Sequence, residues 1–125
     1  MKIIAENKKV LFNYEILETY KAGIVLTGQE VKSIKGGRIN LQGSFVVFKD
    51  SELYLIGATV PAYQPNNLRE EYNPQRSRKL LLRKEEINAL IGKSRQKGLT
   101  IVPLKVYNTQ GKIKIEFALV KGKKK

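Results

Sequence analysis

Cysteine and histidine are both missing from this 125-residue chain, and aspartate occurs once, at Asp50. Without cysteine there is neither a disulfide framework nor a zinc ribbon. Without histidine the commonest general base and the commonest metal ligand are gone. Asp50 sits in a turn-like Lys49-Asp50-Ser51-Glu52 stretch, and the remaining ten of the 11 acidic residues are mostly scattered glutamates. The carboxylate clusters of two-metal nucleases can scarcely be assembled from such a set. No Gly-x-x-x-x-Gly-Lys-Ser/Thr loop occurs either. The expectation is a protein that is not an enzyme, with no catalytic residues, no metal site and no cofactor. No apolar run approaches the ~18 residues that span a bilayer. The stretch from Met1 to Lys9 lacks the apolar core of a signal peptide. A cytoplasmic protein without membrane association is therefore expected.

What the chain has in excess is positive charge: 24 Lys and Arg against 11 acidic residues, a net of +13. Such a surplus opposes compactness by self-repulsion and favours a polyanionic partner. Lysine enrichment for heat tolerance normally raises glutamate as well, and here glutamate has not kept pace. Hydrophobic residues at 42% supply a core, and the length suits one domain rather than two.

Along the chain, residues 1–12 read as a short basic arm. Asn13 to Leu26 mixes β-branched and aromatic residues with alternating polar ones, which predicts a long bent strand with Gly23 at a bend or bulge. Thr27 and Glu30 have capping-box spacing, Val31 and Ile34 form an apolar stripe, and Gly36 is the expected left-handed stop of a short helix. Phe45–Phe48 and Leu53–Ile56 flank a tight turn and predict a hairpin. The Pro- and Asn-rich segment 64–78 is the longest candidate loop, expected to be mobile when unbound. Lys84 to Lys97 is the best helix, with Ile87, Leu90 and Ile91 on one face and Gly98 at its end. Two strands, Thr100–Tyr107 and Lys112–Val120, follow. The fold class is mainly β with embedded helices: a closed or partly open antiparallel barrel of the oligonucleotide-binding (OB-fold-like) make-up, with two to three short helices.

The basic residues fall into clusters: Lys8-Lys9; Lys32, Lys35 and Arg38; Arg76, Arg78 and Lys79; Lys93, Arg95 and Lys97; Lys112 and Lys114; and the Lys121–Lys125 end. They converge on one face or form two, and each phosphate contact would make binding salt-dependent. Tyr14, Tyr20, Tyr54, Tyr63, Tyr72 and Tyr107, with Phe12, are candidate stacking rings. Core packing is the better reading for Tyr20, Tyr54 and Tyr107, whereas Tyr72, in the polar loop, is the freest to meet a partner. Glu30 has a sufficient role in the capping box, and alternatively could accept a hydrogen bond from a base or a ribose hydroxyl.

Six runs in order, from Asn7-Lys8-Lys9 through Tyr14–Tyr20, Ala22–Ser33, Arg78–Leu82 and Lys97–Lys105 to Ala118–Lys124, resemble the small protein B (SmpB) family. The resemblance covers nearly the whole chain. It implies an OB-fold-like barrel that binds the tRNA-like domain of transfer-messenger RNA at its elbow and brings it to stalled ribosomes for trans-translation. The partners so implied are that RNA and the ribosome, with elongation factor Tu and alanyl-tRNA synthetase acting on the same RNA, and the protein is expected to be a monomer. The family pattern points to Asn7, Leu81 and Lys112 as RNA contacts. Alternation turns Leu81 outward, among Arg78, Lys79 and Arg83, where it could pack against an unstacked base. The full expected contact set is Asn7, Lys8, Lys9, Asn13, Lys21, Glu30, Lys32, Lys35, Arg38, Arg78, Lys79, Leu81, Lys93, Lys112, Lys114, Lys121 and Lys123.

The chain departs from the family pattern at three places. Lys21 stands where an acidic residue is common, and Phe12-Asn13 replaces the usual His-Asp or His-Glu. The family also continues past the Lys-Gly-Lys-Lys run with a long basic tail, whereas 121–125 here is only its start. Residues 1–125 are expected to bind the RNA without supporting tagging; a tag-addition assay against a tail-bearing version checks this, and normal tagging by the short form would refute it. A ribosomal or ribosome-assembly protein that binds folded rRNA is the alternative reading of the composition.

Overall fold

In the computed structural model, residues 1–63 and 72–123 are described. They form β1 (Lys2–Glu6), α1 (Val10–Asn13), β2 (Tyr14–Ile24), α2 (Gly28–Lys35), β3 (Phe45–Lys49), β4 (Glu52–Ile56), β5 (Arg78–Leu81), α3 (Lys84–Ser94), β6 (Leu99–Thr109) and β7 (Lys112–Gly122). All seven strands join one antiparallel sheet in the order β1-β6-β7-β2-β5-β4-β3. The sheet curls until β3 approaches β6, yet no ladder joins its two edges among the described residues. It is a partly open OB-like fold and not a closed barrel.

Local chemistry sets the elements. The β3–β4 hairpin turns on Asp50 and Ser51 at φ 52° and 63°, and the β6–β7 hairpin on Gln110 and Gly111 at φ 52° and 78°. Paired positive φ values give a two-residue turn whose twist matches the flanking strands. The concave face buries Leu53, Leu55, Leu80, Ile115 and Phe117, which α2 covers with Ile34 and α3 with Ile87 and Leu90. A smaller cluster of Val10, Val102, Ala118 and Val120 lies under α1.

Five expectations about the chain change. The N-terminal arm is in fact an edge strand, because Ile4 and Ala5 pack on the core while Lys2, Ile3, Ala5 and Glu6 pair with β6. The bulge of β2 falls at Leu17, between Ile16↔Val120 and Glu18↔Leu119, and not at Gly23. The left-handed residue closing α2 is Gly37 at φ 87°; Gly36 has φ −80°. Of the predicted 64–78 loop, residues 64–71 lie outside the described residues, and the rest is tied down by polar contacts and by β5. Helix α3 stops at Ser94, short of Lys97.

Gly57 turns the chain out of β4 at φ 81°, and a Cβ there would stand 3.3 Å from the Gly43 carbonyl oxygen. Gly57→Ala is expected to cost about 1–2 kcal/mol from the left-handed backbone, with crowding added. Urea unfolding of the two proteins checks this.

Candidate nucleic-acid interface

Strand β5 alternates inward Arg78 and Leu80 with outward Lys79 and Leu81, and Leu81 is 53% exposed. A leucine this bare on a sheet face has its apolar area available to a partner. It is seated over Gly23, its cross-strand neighbour, where a Cβ would meet Leu81 Cδ1 at 3.4 Å. On the other side of β2, Gly23 pairs with Lys114. Around this point opens a cleft of about 400 Å³ lined by Gly23, Ile24, Leu26, Val31, Leu81, Gly111, Lys112, Ile113 and Lys114. Its floor is apolar and its rim carries two ammonium groups. That combination takes an unstacked base or ribose against the floor and phosphates at the rim. Leu81, Lys112 and Lys114, predicted from distant parts of the sequence, are thus brought together.

A second basic region lies at α1. Asn7, Lys9 and Asn13 line a cleft of about 310 Å³ with Gln42, Ser44 and Phe45. An adjoining cleft of about 230 Å³ shares Asn7, Lys9 and Gln42 with it and adds Lys8. The Asn7 side chain donates to the Pro103 carbonyl at 3.2 Å, which orients it. The chain end returns here: Lys123 N–H donates to the Asn13 carbonyl at 3.0 Å, and Lys123 Nζ to that of Leu11 at 2.6 Å. Lys121 is exposed at the end of β7. The Asn7 and Leu81 clefts share no residue, so the positive charge lines two separate sites. Phe45 and Gln42 were missed from sequence; the exposure of Phe45 at an edge is a property of the fold that its strand pattern does not carry.

Lys32, Lys35 and Arg38 are exposed on and just after α2. Other expected contacts have intramolecular partners. Lys93 Nζ is 2.8 Å from Glu18, whose carboxylate also accepts from Tyr20 Oη. These two hydrogen bonds, Lys93 first, hold Glu18 below the usual carboxylate range. Burial and the bond to Glu18 push Tyr20 up to about 12. Lys79 lies 3.8 Å from Glu52. Lys21 is the cross-strand neighbour of Glu116, which also faces Lys105 at 3.8 Å, so the lysine in place of an acidic residue continues an alternation of charge across the sheet.

Glu30 and Arg78 are corrected outright. Both side chains are buried, at 0% and 1% exposure, and neither is presented to a ligand. The capping box at Thr27 is present as expected, with Glu30 N–H to Thr27 Oγ1 at 3.2 Å and Thr27 N–H to Glu30 Oε1 at 2.9 Å. Glu30 does more than cap. Its Oε1 accepts from Arg76 Nη2 at 2.5 Å and its Oε2 from Arg78 Nε at 2.8 Å. Arg78 spends its remaining four N–H groups on the carbonyls of Ala58, Arg76 and Pro74 and on Tyr72 Oη. Tyr72 Oη donates in turn to the Val60 carbonyl at 2.7 Å, so the tyrosine expected to be freest is anchored. Burial pushes the Glu30 carboxyl up from 4.5, but the bonds from Arg76, the Thr27 N–H and Arg78 outweigh it and hold the pKa at about 2.

A curved antiparallel sheet with two separate lysine-rimmed clefts has the make-up of a binding module for a polyanion. The family described as "SmpB protein" matches residues 4–125, and the chain belongs to it. SsrA-binding proteins of Trichormus variabilis and of a Sulfurihydrogenibium species are 49% and 52% identical to it, over 98% and 99% of this chain and 79% and 81% of theirs. That of Thermosipho africanus is 48% identical over 100% of this chain and 84% of its own. A solved structure described as "tmRNA-SmpB: a journey to the center of the bacterial ribosome" superimposes with a TM-score of 0.77 at 48% identity, covering 96% of this chain and 84% of that one.

Because the folded Glu30 pKa lies below its unfolded value, its stabilisation is complete above about pH 4.5 and is lost as pH falls toward 2. Glu30→Gln leaves Arg78 buried without its counter-charge and is expected to cost about 3–5 kcal/mol at neutral pH. The variant should also show a shallower loss of stability between pH 4.5 and 2. Chemical unfolding as a function of pH measures both.

Proposed function

We propose that the chain binds transfer-messenger RNA through the Leu81 cleft and works with the ribosome in trans-translation, the rescue of stalled ribosomes and tagging of their incomplete products. The cleft carries this reading: an outward leucine over Gly23, faced by Lys112 and Lys114, joins apolar packing to phosphate neutralisation in one place. Family membership and relatives named SsrA-binding proteins support the RNA, and the solved relative's description supports the ribosome. They also favour this function over that of a ribosomal or ribosome-assembly protein. The RNA element is the tRNA-like domain, gripped at its elbow, and elongation factor Tu and alanyl-tRNA synthetase act on the same RNA. The protein acts by binding alone, in the cytoplasm and as a monomer. The separate cleft at Asn7, Lys8, Lys9 and Asn13 leaves a second basic face for the ribosome while the first holds the RNA.

Affinity for the tRNA-like domain, for an unrelated hairpin and for duplex DNA across a salt series tests the reading. The tRNA-like domain should bind much more tightly, and equal affinity for all three would reject it. Leu81→Ala should weaken binding without changing the salt slope. Lys112→Ala should weaken it and lower the slope by about one.

A further inference from the structure

Helix α2 has a second flank that the Leu81 cleft does not use. At about 100° per residue, buried Glu30, Ser33 and Ile34 define its inner side, and Lys32 and Lys35 form an outward ridge. Val31 falls on one flank, where it lines the Leu81 cleft. Gln29 falls on the other, and its Oε1 accepts the Tyr63 N–H at 3.1 Å. Ser33 Oγ donates to the Pro61 carbonyl at 2.7 Å, and Arg38 Nη1 to that of Ala62 at 3.4 Å. Three polar contacts from α2 and its exit thus fix residues 61–63, and Tyr63 is held there 43% exposed. Lys32 Nζ lies 5.8 Å from the Tyr63 ring centroid.

An exposed ring carried on a fixed backbone, with an ammonium group beside it, is what single-stranded nucleic acid recognises. The ring offers a π-face to any base, and the cations follow the backbone. We infer that Tyr63 and the Lys32–Lys35 ridge form a second RNA contact, across α2 from the Leu81 cleft. An unpaired base stacks on Tyr63, the phosphate chain passes over Lys32 and Lys35, and Arg38 meets it beyond the helix. This rests on the proposed function, since the RNA is the one held at Leu81. An α-helix is about 10–12 Å across, a width that a short unstacked strand bridges.

The chain contains no tryptophan, so Tyr63→Trp places a single reporter at the site. Its emission should be quenched by the tRNA-like domain and by an unstructured oligouridine, and not by a blunt RNA duplex. Tyr63→Leu should lower affinity for the tRNA-like domain roughly tenfold, the loss of one stacked base, while Tyr63→Phe should stay within about twofold. Unchanged binding by Tyr63→Leu overturns the inference and leaves the Lys32–Tyr63 contact as a clamp on the loop. Equal quenching by the duplex also overturns it, as generic attraction. If Lys112→Ala weakens binding and Tyr63→Leu does not, the function stands and this contact falls. If the unsubstituted chain shows no preference for the tRNA-like domain, the function falls, and oligouridine quenching alone decides Tyr63.

Discussion

Helix α2 and the strand β5 that carries Leu81 are held in relation to each other by the buried pair of Glu30 and Arg78. A carboxylate and a guanidinium taken out of water cost several kcal/mol each, and only near-complete hydrogen bonding makes the burial tolerable. Arg78 meets that condition with all five N–H groups engaged. Its partners come from the start of α2, the segment after β4, and residues 72–76. A single side chain therefore ties helix, loop and sheet together at the root of β5. Lysine could not replace it, having three donors on one nitrogen and no planar fork.

From that anchor the functional geometry follows by strand alternation. Arg78 inward forces Lys79 outward, Leu80 inward and Leu81 outward, so the residue proposed to touch RNA is set three positions from the one that must stay dry. Glu30 acts likewise on α2: with its carboxylate facing in, Lys32 and Lys35 face out. Charge is thus sorted by depth. Pairs with exact partners sit inside, and the surplus of +13 is left to the surface. Part of the surface charge is also paired, as at Lys93 with Glu18 and Lys105 with Glu116, and the clefts are lined by lysines outside those pairs.

What the sequence made legible was what depends on near neighbours. The Thr27–Glu30 capping box, the tight β3–β4 hairpin and the outward turn of Leu81 each rest on residues a few positions apart, and each is present. The OB-like sheet was also foreseen, with closure left open between a closed and a partly open barrel. The misreadings came from long range. Glu30 and Arg78 are 48 positions apart, so nothing local distinguishes them from surface charges. Tyr72 looked free because its partners Val60 and Arg78 are supplied only by the fold. The basic arm became β1 because Lys2, Ile3, Ala5 and Glu6 found β6, about 100 residues away. Gly23 does not take the bulge, which falls at Leu17; it lies under Leu81. The clefts gathered Leu81 with Lys112 and Lys114, and Asn7 with Lys9 and Asn13, but which clusters would share a face was open in the sequence.

Gly23 has a further consequence for the Leu81 cleft. It pairs with Leu81 on one side and with Lys114 on the other, so the two walls stand one strand apart, with the same residue as their common reference. Two inter-strand spacings of about 4.8 Å place those backbones roughly 10 Å from each other. The aperture is a repeat distance of the sheet, maintained by main-chain hydrogen bonds and independent of side-chain choice. Substitutions along the walls can recolour the opening, apolar to polar or charged to neutral, but its gauge is inherited from the β-ladder itself.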